Sequence, residues 1–114
     1  MNFERLLVWK RSARLSADLY QTLRELRDFG FRDQITRSGL SVPSNIAEGM
    51  SRATRKDKRH FLVVARGSCA ELRTQIYIGM EIGYVAQDKG REWLQETREV
   101  SSMLAGLITT LDNE

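Results

Sequence analysis

The stretch SVPSNIAEG at residues 41–49 is the most informative part of the sequence, because it places the only proline of the chain, Pro43, inside a segment with helical periodicity. Proline has no N–H, and its ring presses on the carbonyl four residues earlier, which costs about 3 kcal/mol in a helix interior. That earlier residue is Gly39, which leaves the backbone room to bend. Ser41 and Asn45 offer side-chain hydrogen bonds to the freed backbone groups. The stretch therefore predicts a proline-kinked helix.

Length and composition are those of one soluble globular domain, which we expect to span residues 1–114. Of these residues 41% are hydrophobic and 29% are charged, and no apolar run approaches the length that a membrane span needs. The first residues lack the basic and then apolar order of a secretion signal. Cys69 is the single cysteine and cannot form an internal disulfide. We therefore expect a cytoplasmic protein without a membrane partner.

Hydrophobic periodicity predicts four helices, at about residues 3–27, 32–51, 55–83 and 88–111. Thr54 is the expected N-cap of the third helix, with Asp57 three residues later, and Asp88 is the expected N-cap of the fourth. No strand-type alternation is present. The fourth helix carries the cleanest bundle seam. The pattern predicts an all-α, antiparallel up-down four-helix bundle. The seam residues are Trp93, Thr97, Val100, Leu104, Leu107 and Leu111.

The first helix carries two apolar stripes, whereas a helix in a simple bundle needs one. The third helix carries small residues on its apolar face, at Ala65, Gly67, Ser68 and Gly79, which allow a close approach of a neighbouring helix. Two stripes indicate that the first helix also contacts something outside its own bundle, so the chain is expected to form an oligomer. The first stripe is Leu6, Trp9, Ala13, Tyr20 and Leu23, and the second is Leu15, Leu19 and Leu26.

Three groups of residues resemble a known family. They are residues 7–10 with Ala13, then Gln34, Arg37, residues 41–49 and Arg52, and finally Phe61-Leu62, Ala65, Gly67-Ser68, Glu71-Leu72 and Thr74-Gln75. Together they resemble the four-helix-bundle proteins encoded in intervening sequences of bacterial 23S rRNA genes, also called S23 ribosomal proteins. The resemblance implies a homopentamer with a central channel. Relatives include accessory proteins of diversity-generating retroelements, which bind a reverse transcriptase and nucleic acid. Within residues 41–49, the structural motif is Ser41, Pro43, Asn45, Glu48 and Gly49.

Two basic clusters are candidate nucleic-acid contacts. The net charge is +3, and the densest cluster lies where the third helix begins, an unfavourable end of the helix dipole for cations. An anionic partner would explain that placement, and Lys and Arg bind phosphates by releasing counterions. A solvated helix face is the alternative that the sequence leaves open. The first cluster is Arg52, Arg55, Lys56, Lys58 and Arg59, and the second is Lys10, Arg11 and Arg14.

The remaining chemical motifs are weaker. Arg55 and His60 match an Arg-x4-His spacing of small helical ribonucleases of the HEPN type, but such a short motif arises easily in a basic helix. A di-iron bundle site needs two histidines, and the chain has one. Cys69 is expected in the core. Glu48 and Glu71 are expected to be partly buried, bonded to the kinked backbone or paired with Arg37 or Arg52.

These observations favour a non-enzymatic, homo-oligomeric scaffold that binds RNA or DNA, or a nucleic-acid enzyme, through basic surface patches. We expect no catalytic residue, no metal and no cofactor. The nearest alternative is a structural or protein-binding oligomer without nucleic-acid binding, and a HEPN-like ribonuclease comes third.

Overall fold

The computed structural model describes residues 2–114, so that Met1, the first residue of the predicted domain, lies outside the described residues. A 3-10 turn at Phe3–Arg5 precedes four helices. These are α1 (Leu7–Thr22), α2 (Phe29–Met50), α3 (Arg55–Glu81) and α4 (Gln87–Asp112). Short turns join them, and residues 2–114 contain no strand. The bundle measures 45 × 21 × 20 Å.

Each helix packs against two others, in the cyclic order α1, α2, α3, α4. The pairing of α2 with α3 is antiparallel, because the beginning of α3 lies at the end of α2 around Gly49, while Gly79 lies beside Phe31. Halfway along, the hydroxyls of Ser41 and Ser68 lie 2.8 Å apart. The predicted all-α four-helix bundle is confirmed.

The core consists of two apolar clusters, one towards each end of the bundle. The second stripe of α1 faces the core at Leu15 and Leu19, whereas Tyr20 of the first stripe is 47% exposed. On α4 the seam holds except at Leu107, which is partly buried because Ile108 occupies the buried position. All four helices contribute to each cluster. In helix order, examples from the first cluster are Val8, Ile46, Leu62 and Leu104, and examples from the second are Leu19, Ile35, Ile76 and Trp93.

Several predicted helix ends differ from the structure. α1 begins at Leu7 and α2 at Phe29, and not at about residues 3 and 32. The first helix ends at Thr22, several residues before the expected end, because the chain turns there towards Asp28. Asp28 caps α2 by accepting a hydrogen bond from the Phe31 N–H. The N-cap of α4 is Ala86, so Asp88 lies in the first turn instead. Thr54 caps α3 as predicted, and its hydroxyl accepts from the Asp57 N–H at 3.1 Å.

Pro43 lies inside α2, as the sequence indicates, and is buried. The amide of Asn45 donates to the carbonyl and to the hydroxyl of Ser41, at 2.8 and 2.9 Å. Gly39 lies where α2 meets α1, and a Cβ there would overlap the side chain of Leu19. The glycine therefore serves close helix packing, while the predicted bend at the proline stays a prediction.

None of the four helices is both long enough and apolar enough to span a bilayer.

Candidate nucleic-acid interface

The basic cluster at the start of α3 lies beside the acidic end of α4. The guanidinium of Arg59 donates to both carboxylate oxygens of Asp112, at 2.6 and 3.3 Å. Arg55 donates to the carbonyl of Glu114 at 2.7 Å. Asp112 raises the pKa of Arg59 above its ordinary value. The end of α4 thus supplies counter-charge to the first turn of α3, which lowers the cost of placing cations at a helix N-terminus.

The contacts of Arg52 and Lys58 in this cluster are with residues closer in the sequence. Arg52 binds Glu48 at 2.7 Å, and its guanidinium lies 4.8 Å from the ring centre of Phe61. The ammonium of Lys58 donates to the carbonyl of Met50 at 3.3 Å. Lys56 is exposed and has no carboxylate within 4.0 Å among residues 2–114. Three of the five predicted cations are therefore paired internally, and whether this cluster binds nucleic acid stays a prediction.

The second predicted cluster also contains both a cation that is paired internally and cations that are exposed. Arg11 faces α4, where it binds the carboxylates of Glu96 and Glu99. These bonds raise the pKa of Arg11, and they lower the pKa of Glu99. Lys10 and Arg14 are exposed, and within the described residues neither has a carboxylate partner. Arg11 is held by α4, so Lys10 and Arg14 are the exposed cations of this cluster.

A second polar contact joins α1 to α4. Asp18 accepts hydrogen bonds from the ammonium of Lys89 and from the indole N–H of Trp93, both at 2.8 Å. Burial raises the pKa of Asp18, but these hydrogen bonds outweigh it and leave that pKa below its ordinary value. The indole is buried, so the carboxylate supplies the partner that a buried N–H requires. Asp18 and Arg11 together join α1 to α4.

The remaining residues of the 41–49 motif support helix packing. A Cβ on Gly49 would lie 2.9 Å from the Cβ of Phe61, so glycine is needed where α2 crosses α3. Glu48 is exposed and pairs with Arg52, one of the arginines that the sequence offered as its partner. Glu71 is exposed and, with Arg37, lines a polar depression of about 440 Å³ between α2 and α3. The expected partial burial of both glutamates is wrong.

Each residue of the candidate catalytic pair contacts another residue of the chain. The guanidinium of Arg55 is held by the last residue of the chain, and the exposed ring of His60 packs edge-on against Phe61, 5.1 Å between centres. Cys69 is 1% exposed, and burial raises its pKa to about 11, so it is a neutral thiol at physiological pH. Among residues 2–114 no group of three or more acidic, histidine or cysteine side chains is placed to hold a metal ion.

The structure adds a surface that the sequence reasoning missed. Tyr20 and Gln21 of α1, with Arg24 beyond it, meet Arg32 and Asp33 of α2 around a depression of about 360 Å³, which Thr36 completes. The sequence signal was an aromatic residue interleaved with arginines, but Tyr20 was assigned to an apolar stripe. Aromatic rings among arginines are a feature of single-strand binding surfaces.

A second unexpected surface is the outward strip of α3, defined as Val63, Gly67, Ala70, Thr74 and Tyr77. All five residues are exposed and uncharged, and their spacing places them on one side of the helix. Val64 and Ile78 extend this surface and are 38% and 48% exposed. Gly67 meets no atom within 4 Å at its Cβ position, so within one copy no neighbouring helix makes the close approach that the sequence predicted there.

Fold and surface together define a small all-helical protein, a four-helix bundle with basic strips and an apolar helix face on its outside. The chain belongs to the 23S rRNA-intervening sequence protein family, whose pattern matches residues 4–106. The predicted resemblance is thus confirmed. The fold is similar to that of a protein of unknown function from the S23 ribosomal protein family of Bacteroides thetaiotaomicron, with a TM-score of 0.84 and 23% identity. That match covers 90% of this chain and 98% of the other. A comparison with curated proteins finds no relative.

Proposed function

We propose that this protein is a non-enzymatic, cytoplasmic homo-oligomer, a pentamer, that binds nucleic acid through the basic surfaces of its assembled copies. The observation that carries the proposal is the outward strip of α3. Self-association would cover this strip, and it would bring several copies of the basic surfaces together.

Exposed apolar side chains, which favour self-association, are concentrated on α3. Five of the nine large hydrophobic side chains exposed within residues 2–114 lie on α3 or at its C-cap. A helix that faces water normally presents polar residues there. The centres of interfaces between protein chains are instead depleted in charge and rich in aromatic residues such as Tyr77. Gly67 and Ala70 allow the backbone of a second helix to come close.

The case for nucleic acid rests on the uneven distribution of charge. α3 carries six basic and three acidic residues and α1 carries three basic and one acidic, whereas α4 carries three basic and five acidic. Each copy has a net charge of +3, which five copies would bring together in one particle. A particle with concentrated positive charge attracts the phosphate backbone irrespective of sequence.

The assembly is tested by light scattering at micromolar concentration. We expect a mass of five times the 13.1 kDa of one chain. Val63→Asp combined with Ile78→Asp should give monomers, because charge would be buried in the interface. The matched control, Ser102→Glu with Thr109→Glu, adds the same charge at exposed sites of α4 and should leave the mass unchanged. A monomeric wild-type protein would overturn the oligomer.

Nucleic-acid binding is tested by titrating labelled RNA and DNA strands at increasing salt. We expect binding at about 50 mM salt that weakens steeply as salt rises, because each bound phosphate releases counterions. Absence of binding at that salt concentration, with the assembly intact, would overturn the nucleic-acid role.

That outcome would favour the second candidate, a structural or protein-binding oligomer. One observation supports this second candidate: Arg52, Arg55 and Arg59 already contact acidic residues of their own chain. A ribonuclease ranks third. Unchanged RNA turnover after His60→Ala would remove it, and turnover that this substitution abolishes would contradict a non-enzymatic role.

A further inference from the structure

The outer side of α1 carries cations that no acidic residue among residues 2–114 neutralises by a close ion pair. Lys10, Arg14 and Gln21 share one exposed side of the helix and span about 16 Å along its axis. Arg24 follows in the turn after α1. Its one acidic contact, to Glu25 at 3.8 Å, joins two highly exposed side chains and is therefore worth little. This row of cations is open to an anionic ligand from solution.

The acidic residues beside this row have partners of their own. Across the groove of about 490 Å³ between α1 and α4, Glu96 and Glu99 bind Arg11. In the same groove Asp18 and Glu92 bind Lys89, at 2.8 and 3.6 Å. Internal pairing reduces the repulsion that these carboxylates would exert on a phosphate at Lys10 or Arg14. The row thus differs from the cluster at the start of α3, where the arginines themselves are paired.

An aromatic ring stands at the end of this row. Tyr20 is 47% exposed and lines the depression of about 360 Å³ between α1 and α2. Arg24 and Arg32 border the same depression, and the guanidinium of Arg32 lies 4.7 Å from the ring centre of the exposed Phe29. An exposed ring beside arginines suits stacking with an unpaired base, and stacking on it does not depend on which base is present.

Asp33 sets the orientation of such a ligand. Its carboxylate lies on the α2 side of the depression, 3.8 Å from the Arg32 guanidinium. The Asp33 side chain is 65% exposed, so this long contact is worth little and the carboxylate still repels phosphate groups. The sugar-phosphate backbone is therefore favoured on the α1 side, over Lys10, Arg14 and Arg24, with a base directed towards α2. A duplex could present phosphates to the row, but its bases are paired and stacked already.

We propose that a single-stranded nucleic acid binds along α1, with phosphates at Lys10, Arg14 and Arg24 and one base stacked on Tyr20 in the depression between α1 and α2. This inference rests on the proposed nucleic-acid function. It places the contact on α1 and not on the start of α3, and it adds a preference for single strands.

The test uses full-length protein and a labelled oligouridine of about twelve nucleotides, within the usual site size of single-strand binding folds. Binding is followed by fluorescence anisotropy over a salt series. Replacing Lys10, Arg14 and Arg24 together with glutamine should reduce the slope of log affinity against log salt by about 2, or about 0.7 for each lost contact. The matched control replaces Arg37, Arg66 and Arg91 with glutamine. These side chains are also exposed, and the control should leave the slope unchanged.

Stacking is tested at Tyr20 alone. Tyr20→Ala should weaken oligouridine binding by about tenfold, and Tyr20→Phe should not, because phenylalanine keeps the ring. A strand that carries 4-thiouridine should crosslink to the peptide with Tyr20. Wild-type protein should also prefer oligouridine to a duplex of equal length. All variants are checked for unchanged helical content by circular dichroism.

Different results would overturn the proposed nucleic-acid function and the proposed site on α1. Wild-type protein that binds no strand at about 50 mM salt would overturn the proposed nucleic-acid function, and this site with it. Wild-type protein that binds, but loses the same salt slope in the control variant as in the α1 variant, would overturn the α1 site alone. Unchanged affinity after Tyr20→Ala would overturn the stacked base.

Discussion

Two sides of α3 carry uncharged residues, but one side is buried in the bundle and the other is exposed to solvent. On the inner side, Leu62, Leu72 and Ile76 are fully buried against the other helices. On the outer side, Val63 and Tyr77 are 44% and 49% exposed, and the strip they belong to carries no charge. The helices α1 and α4 instead present charged residues to solvent.

We infer from this contrast that α3 packs on both sides. A strip that evolved only to face water would gain solubility from lysine or glutamate, yet α3 holds valine, glycine, alanine, threonine and tyrosine there. The inner side stabilises one copy, and we infer that the outer side stabilises contacts between copies. Matched substitutions on the two sides of α3 test whether the sides differ in this way.

The largest difference is expected from truncating one side chain on each side. Leu72→Ala should lower the free energy of unfolding by about 3 kcal/mol, because it leaves a cavity in a fully buried site. Val63→Ala should change it by less than about 0.5 kcal/mol in dilute protein, because this side chain is exposed in one copy. Urea unfolding followed by circular dichroism measures both.

Protein concentration supplies the control. If copies associate through the outer side, the cost of Val63→Ala should grow as concentration rises, since binding stabilises the folded form by mass action. The cost of Leu72→Ala should not follow the same dependence. A Val63→Ala effect that is equally small at all concentrations would contradict a role of Val63 in assembly.

Thiol chemistry gives the next largest difference. Burial raises the pKa of Cys69 to about 11, so at neutral pH its thiol should react with an alkylating reagent at least about a hundredfold more slowly than an ordinary cysteine. The rate should rise as the pH approaches that value, because the thiolate then forms. Mass spectrometry of the alkylated protein measures the rate, and protein unfolded in urea gives the reference.

A cysteine introduced at Val63 is the matched probe of the outer side. It should react rapidly in dilute protein and slowly in concentrated protein, where a second copy would cover it. Rapid reaction at every concentration would show that this side stays open to solvent, and fast alkylation of Cys69 in the folded protein would contradict its burial.

The fold could be predicted to a large extent from the sequence, because helical periodicity and capping are local. The Thr54 cap and most of the α4 seam are where the pattern placed them. The first helix was predicted too long because nothing local after Thr22 forbids a helix. Its end depends on the turn that Asp28 closes by capping α2.

The candidate site could be predicted only in part, because the pairing of charges depends on residues distant in sequence. Arg11 and Arg14 look alike in the sequence, but Arg11 meets Glu96, which is 85 positions away, and Arg14 meets solvent. Arg59 likewise finds Asp112 across 53 positions. A cluster of cations can be recognised in the local sequence, whereas the tertiary structure determines which of those cations are free to bind a ligand.

Two glycines of the α2–α3 region should give effects below that of Leu72→Ala, and the two effects should differ in sign. Gly49→Ala should lower the free energy of unfolding by about 2 kcal/mol, because its Cβ would lie 2.9 Å from that of Phe61 and would force α2 away from α3. Gly67→Ala should raise the free energy of unfolding of one copy by up to about 1 kcal/mol, because alanine favours a helix and nothing lies within 4 Å. Urea unfolding in dilute protein measures both.

A larger residue at Gly67 turns the same position into a test of assembly. Gly67→Leu should leave the dilute protein folded, since the site is open, and should weaken association, since a second helix could no longer approach as closely. Light scattering of this variant beside Gly67→Ala separates the two effects. Unchanged association in Gly67→Leu would place the contact between copies away from the middle of α3, and the apolar groove between α1 and α2 around Trp9, Leu40 and Pro43 would become the next surface to substitute.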